Sequence, residues 1–196
     1  MSGRDDILAS IRSRRLVQAP KPAIYRAPKT EGDLAESFAK KLSAHYADVR
    51  RLASMADVPA AIADILRGKN MALEVHIAPD SALALDLPGI DVLNTPPGQN
   101  AAAVTAAPFA IAETGTLAYP SAPGRPASWH FRPVLEIALL RESDILPELE
   151  DVLARLAPFP STLNLVSGPS RTGDIEQTME LGAHGPKALA VLVVKA

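Results

Sequence analysis

The sequence predicts an α/β fold, a layered and largely parallel sheet flanked by helices. Two observations carry the prediction. Segments with helical apolar spacing alternate with short extended segments, the order expected of β-α-β units. Two of the extended segments, Val134 to Leu140 and Ala188 to Val194, are nearly continuous apolar runs, as strands covered on both faces must be.

Taken in order, Asp5 to Arg15 reads as a short helix, with acids at its start and arginines at its end to suit the helix dipole. Pro20, Pro22 and Pro28 then favour extended backbone, so Ala19 to Lys29 reads as a linker. Residues 1–30 are thus expected to form a helical arm and linker, and 31–196 the α/β domain. Asp33 with Glu36 resembles a capping box, opening a helix with Leu34, Phe38, Leu42, Tyr46 and Val49 on one face. A second helix spans Pro59 to Arg67 and stops at Gly68. Met71 to Ile77 alternates apolar and polar residues, which predicts a strand with His76 on its polar side. The stretch from Asp86 to Asn100 is rich in turn residues, with a short strand around Val92.

In the second half, Phe109 to Tyr119 reads as two extended pieces meeting at Thr114–Gly115. After the Val134–Leu140 strand, Ser143 or Asp144 can cap a helix that tolerates Pro147 in its first turn and buries Leu149, Val152, Leu153 and Leu156. Leu163 to Val166 predicts a strand ending at Gly168–Pro169, followed by a short helix around Asp174 to Leu181 and the last buried strand.

Composition narrows the function. A net charge of −2 gives no electrostatic reason to expect nucleic acid or an anionic membrane surface. Cysteine is absent, so the chain offers neither a thiol nucleophile nor thiolates for an iron–sulfur cluster. No histidine pair has zinc-site spacing, and no metal site is expected. Charges interrupt the apolar residues of MSGRDDILASIRSRR, and no stretch is apolar enough to span a bilayer, so the expected compartment is the cytoplasm.

Three polar motifs stand out. In AIAETGTL (110–117), Glu113 has apolar neighbours, Gly115 suits an unusual backbone angle, and Thr114 and Thr116 offer hydroxyls. Glu113 is either a base or nucleophile or a strand-end residue bridged to Arg125 or Arg132. In GPSRTGDIE (168–176), Ser170 or Thr172 can cap the predicted helix, Gly173 admits close backbone approach, and the helix amides attract an anion. Arg171 either adds a bidentate grip on a carboxylate or phosphate, or pairs with Glu176 or Glu180. In GAHGP (182–186), His184 lies on a turn, as an acid, a base, a donor or a merely solvated side chain. The loop is neither a Walker A nor a dinucleotide fingerprint, and there is no nucleophile elbow.

In order, spacing and position near the C-terminus, these motifs resemble the LutC/YkgG group of the LUD-domain family over about residues 100–196. Glu113, Thr114, Gly115 and Thr116 match the family's ETGT. Ser170, Arg171, Thr172, Asp174 and Glu176 match its SRTxDIE, and His184, Gly185 and Pro186 its HGP. The resemblance implies a fold similar to the NagB/RpiA/CoA-transferase group. It also implies a lactate utilisation protein whose two iron–sulfur partners together support oxidation of L-lactate to pyruvate. This chain would then be the subunit without a cluster, with Thr114, Gly115, Thr116, Ser170, Arg171, Thr172, Gly173 and His184 around a small anionic ligand. The sequence departs from the family at Pro108, where an acid is usual, and after Ser128, where Trp129-His130-Phe131-Arg132-Pro133 replaces a Pro-Pro-x-His segment. The Glu-x-Gly form of Glu113–Gly115 is shared with related CoA transferases, which gives the alternative of an autonomous CoA-transferase-like or folate-ligase-like enzyme using Glu113 as its nucleophile.

Overall fold

The structure, a computed structural model, describes residues 3–13, 29–79, 85–173, 179–181 and 185–195. The elements run α1 (Gly3–Ser13), α2 (Leu34–Ala44), β1 (Asp48–Leu52), α3 (Val58–Gly68), β2 (Glu74–Ile77), β3 (Asp91–Leu93), β4 (Ala102–Ala106), β5 (Phe109–Ile111), β6 (Thr116–Pro120) and α4 (Ser128–Phe131). They continue with β7 (Leu135–Arg141), β8 (Ile145–Leu146), α5 (Leu149–Arg155), β9 (Leu163–Val166), β10 (Arg171–Gly173), β11 (Met179–Leu181) and β12 (Ala188–Val194).

Six strands form one wholly parallel sheet in the order β1-β12-β7-β4-β2-β3. The apolar runs occupy β7 and β12 near its middle, in register from Leu135↔Ala188 to Arg141↔Val194. Their side chains alternate between two cores. Leu135, Ile137 and Leu139 of β7, with Ala190, Leu192 and Val194 of β12, pack under Val58, Ile62, Ile65 and Leu66 of α3. Ala138, Leu140, Leu189, Val191 and Val193 face the other way, against Phe38 and Leu42 of α2. That second core also holds Leu117 and Tyr119 of a four-stranded sheet ordered β8-β5-β6-β9. The small sheet is mixed, with β5–β6 and β6–β9 antiparallel and β5–β8 parallel, and Val152 of α5 covers its other side with Ile111, Ala118 and Leu146.

Several expectations need correction. Asp33 caps α2, its carboxylate accepting from the Glu36 amide at 3.0 Å, but the helix ends at Ala44. Tyr46 takes a left-handed φ of 69°, and Val49 leaves the helical face to pair with Val191 in β1. The hydrogen bonds of a parallel neighbour outweigh a helical pattern that was correct only as far as Leu42. The strand predicted at 71–77 begins at Glu74, and His76 is buried rather than solvated, its Nδ1 2.7 Å from the Thr95 carbonyl. Between β7 and α5 the chain makes a 3-10 turn at Glu142–Asp144 and the short strand β8, so neither Ser143 nor Asp144 caps α5. Of the predicted stripe only Val152 is buried, and Leu153 is 38% exposed. The short helix expected around 174–181 is absent where it is described: Met179–Leu181 pairs antiparallel with Arg171–Gly173. Residues 174–178 lie outside the described part of the structure.

Gly115 fixes how the small sheet sits on α2. Its φ is +66°, and a Cβ there would lie 2.6 Å from the Leu42 amide nitrogen and 2.8 Å from the Lys41 Cβ. Gly89 has a similar φ of +77° but open space around it. Urea denaturation is expected to show Gly89→Ala losing about 1–2 kcal/mol from the backbone conformation alone. Gly115→Ala should lose at least ~2 kcal/mol more, because backbone atoms must move apart. Equal losses would mean that the α2 contact is not what demands glycine.

Candidate functional site

The ETGT motif is the turn between β5 and β6. The GPSRT motif follows β9, which pairs with β6 so that Val166 lies opposite Leu117. Both motifs therefore sit at one end of the small sheet, not at the carboxyl ends of the parallel strands. That end packs on the last turn of α2. Ser37 Oγ donates to the Ala112 carbonyl at 3.4 Å, and Lys41 Nζ, one turn on, donates to the Glu113 carbonyl. The Glu113 amide donates to Pro147 O at 2.9 Å, so the main chain of Glu113 is held from both sides while its side chain stays half-buried at the rim. On the other strand, Gly168 (φ +141°) brings its backbone to the exit of α2, where a Cβ would lie 2.7 Å from the His45 carbonyl oxygen.

Hydroxyl groups join the two segments. Thr114 Oγ1 lies 2.7 Å from Thr116 Oγ1, which lies 2.7 Å from Ser167 Oγ. Thr116 is buried, whereas Thr114 and Ser167 on either side of it are exposed and both line an open cleft of about 510 Å³, together with Lys41, Ala44, His45 and Glu113. Beyond His45, the Arg171 guanidinium stacks on the Tyr46 ring, 3.5 Å above its centroid. The Ser170 amide donates to Pro186 O at 2.8 Å, and a Cβ on Gly185 would come within 3.2 Å of the Ser170 Cβ, so the SRT and HGP segments lie against each other. Thr172 and Gly173 belong to β10, which pairs with Met179–Leu181, and no helix among the described residues starts at Ser170 or Thr172. His184, Asp174 and Glu176 lie outside the described residues. Sequence reading missed Lys41, His45 and Ser167, whose residue types are common in helices and loops and carry no spacing signal.

It also missed a polar cluster between the sheets. Glu136, the acidic residue of β7, is fully buried like its apolar neighbours. Its Oε1 accepts from Thr105 Oγ1 at 2.8 Å and the Tyr119 phenol at 3.1 Å, and lies 2.7 Å from His130 Nδ1. The His130 and Tyr119 ring centroids lie 3.9 Å apart, and His130 is only 4% exposed on α4. The second carboxylate oxygen, Oε2, is buried without a partner. Burial first, and the neighbouring carboxylate second, push the Tyr119 phenol well above its ordinary value of 10.0. A single acidic residue inside a doubly covered strand was the available signal.

Among the described residues no group of three or more histidine, aspartate or glutamate side chains could hold a metal ion, and no helix is long and apolar enough to cross a membrane.

The LUD domain family matches residues 98–194. The chain is similar to lactate utilization protein C of Halalkalibacterium halodurans, 32% identical over 99 residues, which are 47% of this chain and 43% of that protein. It is equally similar to the YkgG protein of Escherichia coli, 32% identical over 99 residues and the same shares of the two chains. Each match thus spans less than half of the relative's length. A DUF162 family protein of Deinococcus radiodurans of known crystal structure shares the fold, with a TM-score of 0.63 and 24% identity over 85% of this chain and 99% of that one.

Two outcomes test the Glu136 cluster. Glu136→Ala strands three buried donors and is expected to cost about 3–5 kcal/mol in chemical denaturation. The Tyr119 phenol, held protonated in the fold, contributes stability present below pH 10 and lost as pH rises toward its raised native value. Tyr119→Phe should therefore flatten the alkaline decline of melting temperature; an unchanged decline would assign that decline to other groups.

Proposed function

We propose, for a chain that belongs to the LutC/YkgG group of the LUD-domain family, a role in lactate utilisation as a cytoplasmic subunit that carries no iron–sulfur cluster and binds a small anion. In this reading the partners hold the clusters and take the two electrons released as L-lactate becomes pyruvate. Residues 31–196 form the binding domain. Residues 1–30 are an arm for those partners, a role favoured by Ile7 and Ile11, each 62% exposed and one helical turn apart on α1. The observation that supports the ligand reading is the meeting of the ETGT turn with Ser167, three residues ahead of the SRT segment, across the Thr114–Thr116–Ser167 hydroxyls, with Lys41 and His45 in the cleft lining and Arg171 stacked on the adjacent Tyr46. Cations and hydroxyl donors at an open rim suit an anion's oxygens. Glu113 is then a rim residue, and no observation favours its use as a nucleophile.

The tagged full chain, recovered from anaerobic lysate and assayed for iron, is expected to bring down an iron–sulfur protein. Recovery without any under oxygen-free, reducing conditions would overturn the subunit role. With inorganic phosphate as probe, Arg171→Ala should weaken binding by about tenfold or more, the worth of one charge-assisted grip. The melting temperature should fall by no more than about 4 °C, since only an exposed ring stack is lost. Unchanged phosphate affinity would give Arg171 a structural role alone.

A further inference from the structure

The small sheet has an open edge at β9. One side of β9 pairs with β6, and among the described residues no strand pairs with the other. The register fixes which backbone groups face outward. Ser121 donates its amide to the Thr162 carbonyl at 2.9 Å, so these two residues form a hydrogen-bonded pair. Alternation then turns the amides and carbonyls of Asn164 and Val166 toward β6, and those of Leu163 and Leu165 away from it. Pro120, opposite Leu163, has no N–H to give, as this phase requires.

Proteins guard such edges with charge, proline or extreme shortness. The other three edges of the two larger sheets follow the rule. Strand β1 carries Asp48, Arg50 and Arg51, β3 is three residues long and opens on Asp91, and β8 is two residues long. Strand β9 reads Leu-Asn-Leu-Val, with neither charge nor proline. Its Leu165 is 47% exposed on the face that α5 covers, the face its opposite residue Ala118 also joins. Phe159, in the connection from α5 to β9, is 61% exposed.

We propose that β9 pairs antiparallel with β9 of a second copy of this chain, about a two-fold axis through Asn164. Leu163 of each copy then exchanges both backbone hydrogen bonds with Leu165 of the other, and Asn164 faces Asn164. The strand's own chemistry selects a second copy as the occupant, because an uncharged strand faces itself without opposing like charges. The same axis lays Leu163 and Leu165 of both copies in one apolar strip on the α5 face. Continued past β9, the register sets Ser161 of the partner subunit opposite Ser167, which lines the cleft, so each copy adds a hydroxyl beside the other's cleft. The pairing is independent of any role in lactate utilisation.

Size-exclusion chromatography of the full chain with light scattering is expected to give twice its 20.7 kDa at micromolar concentration. Leu165→Pro removes one outward amide and no bond to β6, and should raise the dissociation constant by about tenfold or more with the fold retained. Leu165→Lys changes only an exposed side chain, should act likewise, and serves in place of a proline variant that does not fold. Because the chain has no cysteine, Asn164→Cys reports the register. A non-hydrogen-bonded pair brings its Cα atoms to about 4.5 Å, within disulfide reach, so mild oxidation should link the two copies. Val92→Cys at the β3 edge is the control and should stay unlinked. A monomeric mass throughout, a dimer that Leu165→Lys does not weaken, or no more linking at Asn164→Cys than at Val92→Cys would overturn the pairing.

Discussion

Strands β7 and β12 bury both faces along nearly their whole length, and this double coverage dictates the rest of the architecture. On one side a single amphipathic helix, α3, supplies Ile62, Ile65 and Leu66. On the other, α2 alone is too narrow, and the chain folds its own second sheet over the remainder, contributing Leu117 and Tyr119. At roughly 1.5–3 kcal/mol for each large side chain taken fully out of water, these contacts supply much of what offsets the ordering of the chain. Covering a sheet with a sheet also encloses the Glu136 carboxyl, whose Oε1 is met by Thr105, Tyr119 and His130 on a strand closed to solvent.

The same coverage explains why the ETGT and SRT segments look alike chemically. Each lies where the small sheet meets the end of α2, and each needs a glycine because backbone touches backbone there: Gly115 at Leu42, Gly168 at His45. Part of what makes these motifs distinctive in sequence is thus packing. The hydroxyls and cations around them are what packing leaves over for chemistry. Arg171 belongs to both, since its stack on Tyr46 presents a guanidinium that remains exposed.

Elements whose pattern is decided locally were legible in the sequence. Asp33 capping α2, Pro59 and Gly68 bounding α3, and the apolar runs of β7 and β12 are read from neighbours within one or two turns. Elements decided by distant partners were not. Asp48–Leu52 is a strand only because β12, some 140 residues later, offers it an edge, and Ala102–Ala106 is too small-sided to announce itself. The candidate site divides the same way. Glu113–Thr116 and Arg171 stand out by local composition, while Lys41, His45 and Ser167 reach the cleft through tertiary contact. The family resemblance supplied the group, and the physical reading supplied the reason for Gly115.

The row of three hydroxyls at the end of the small sheet carries a constraint in its protons. Thr116 lies between Thr114 and Ser167 and has one proton to give, so it can donate to only one of them. At least one of the outer hydroxyls must therefore turn its own proton inward to Thr116. Both outer residues line the cleft, and between them they present no more than one proton to it, the remainder showing only lone pairs.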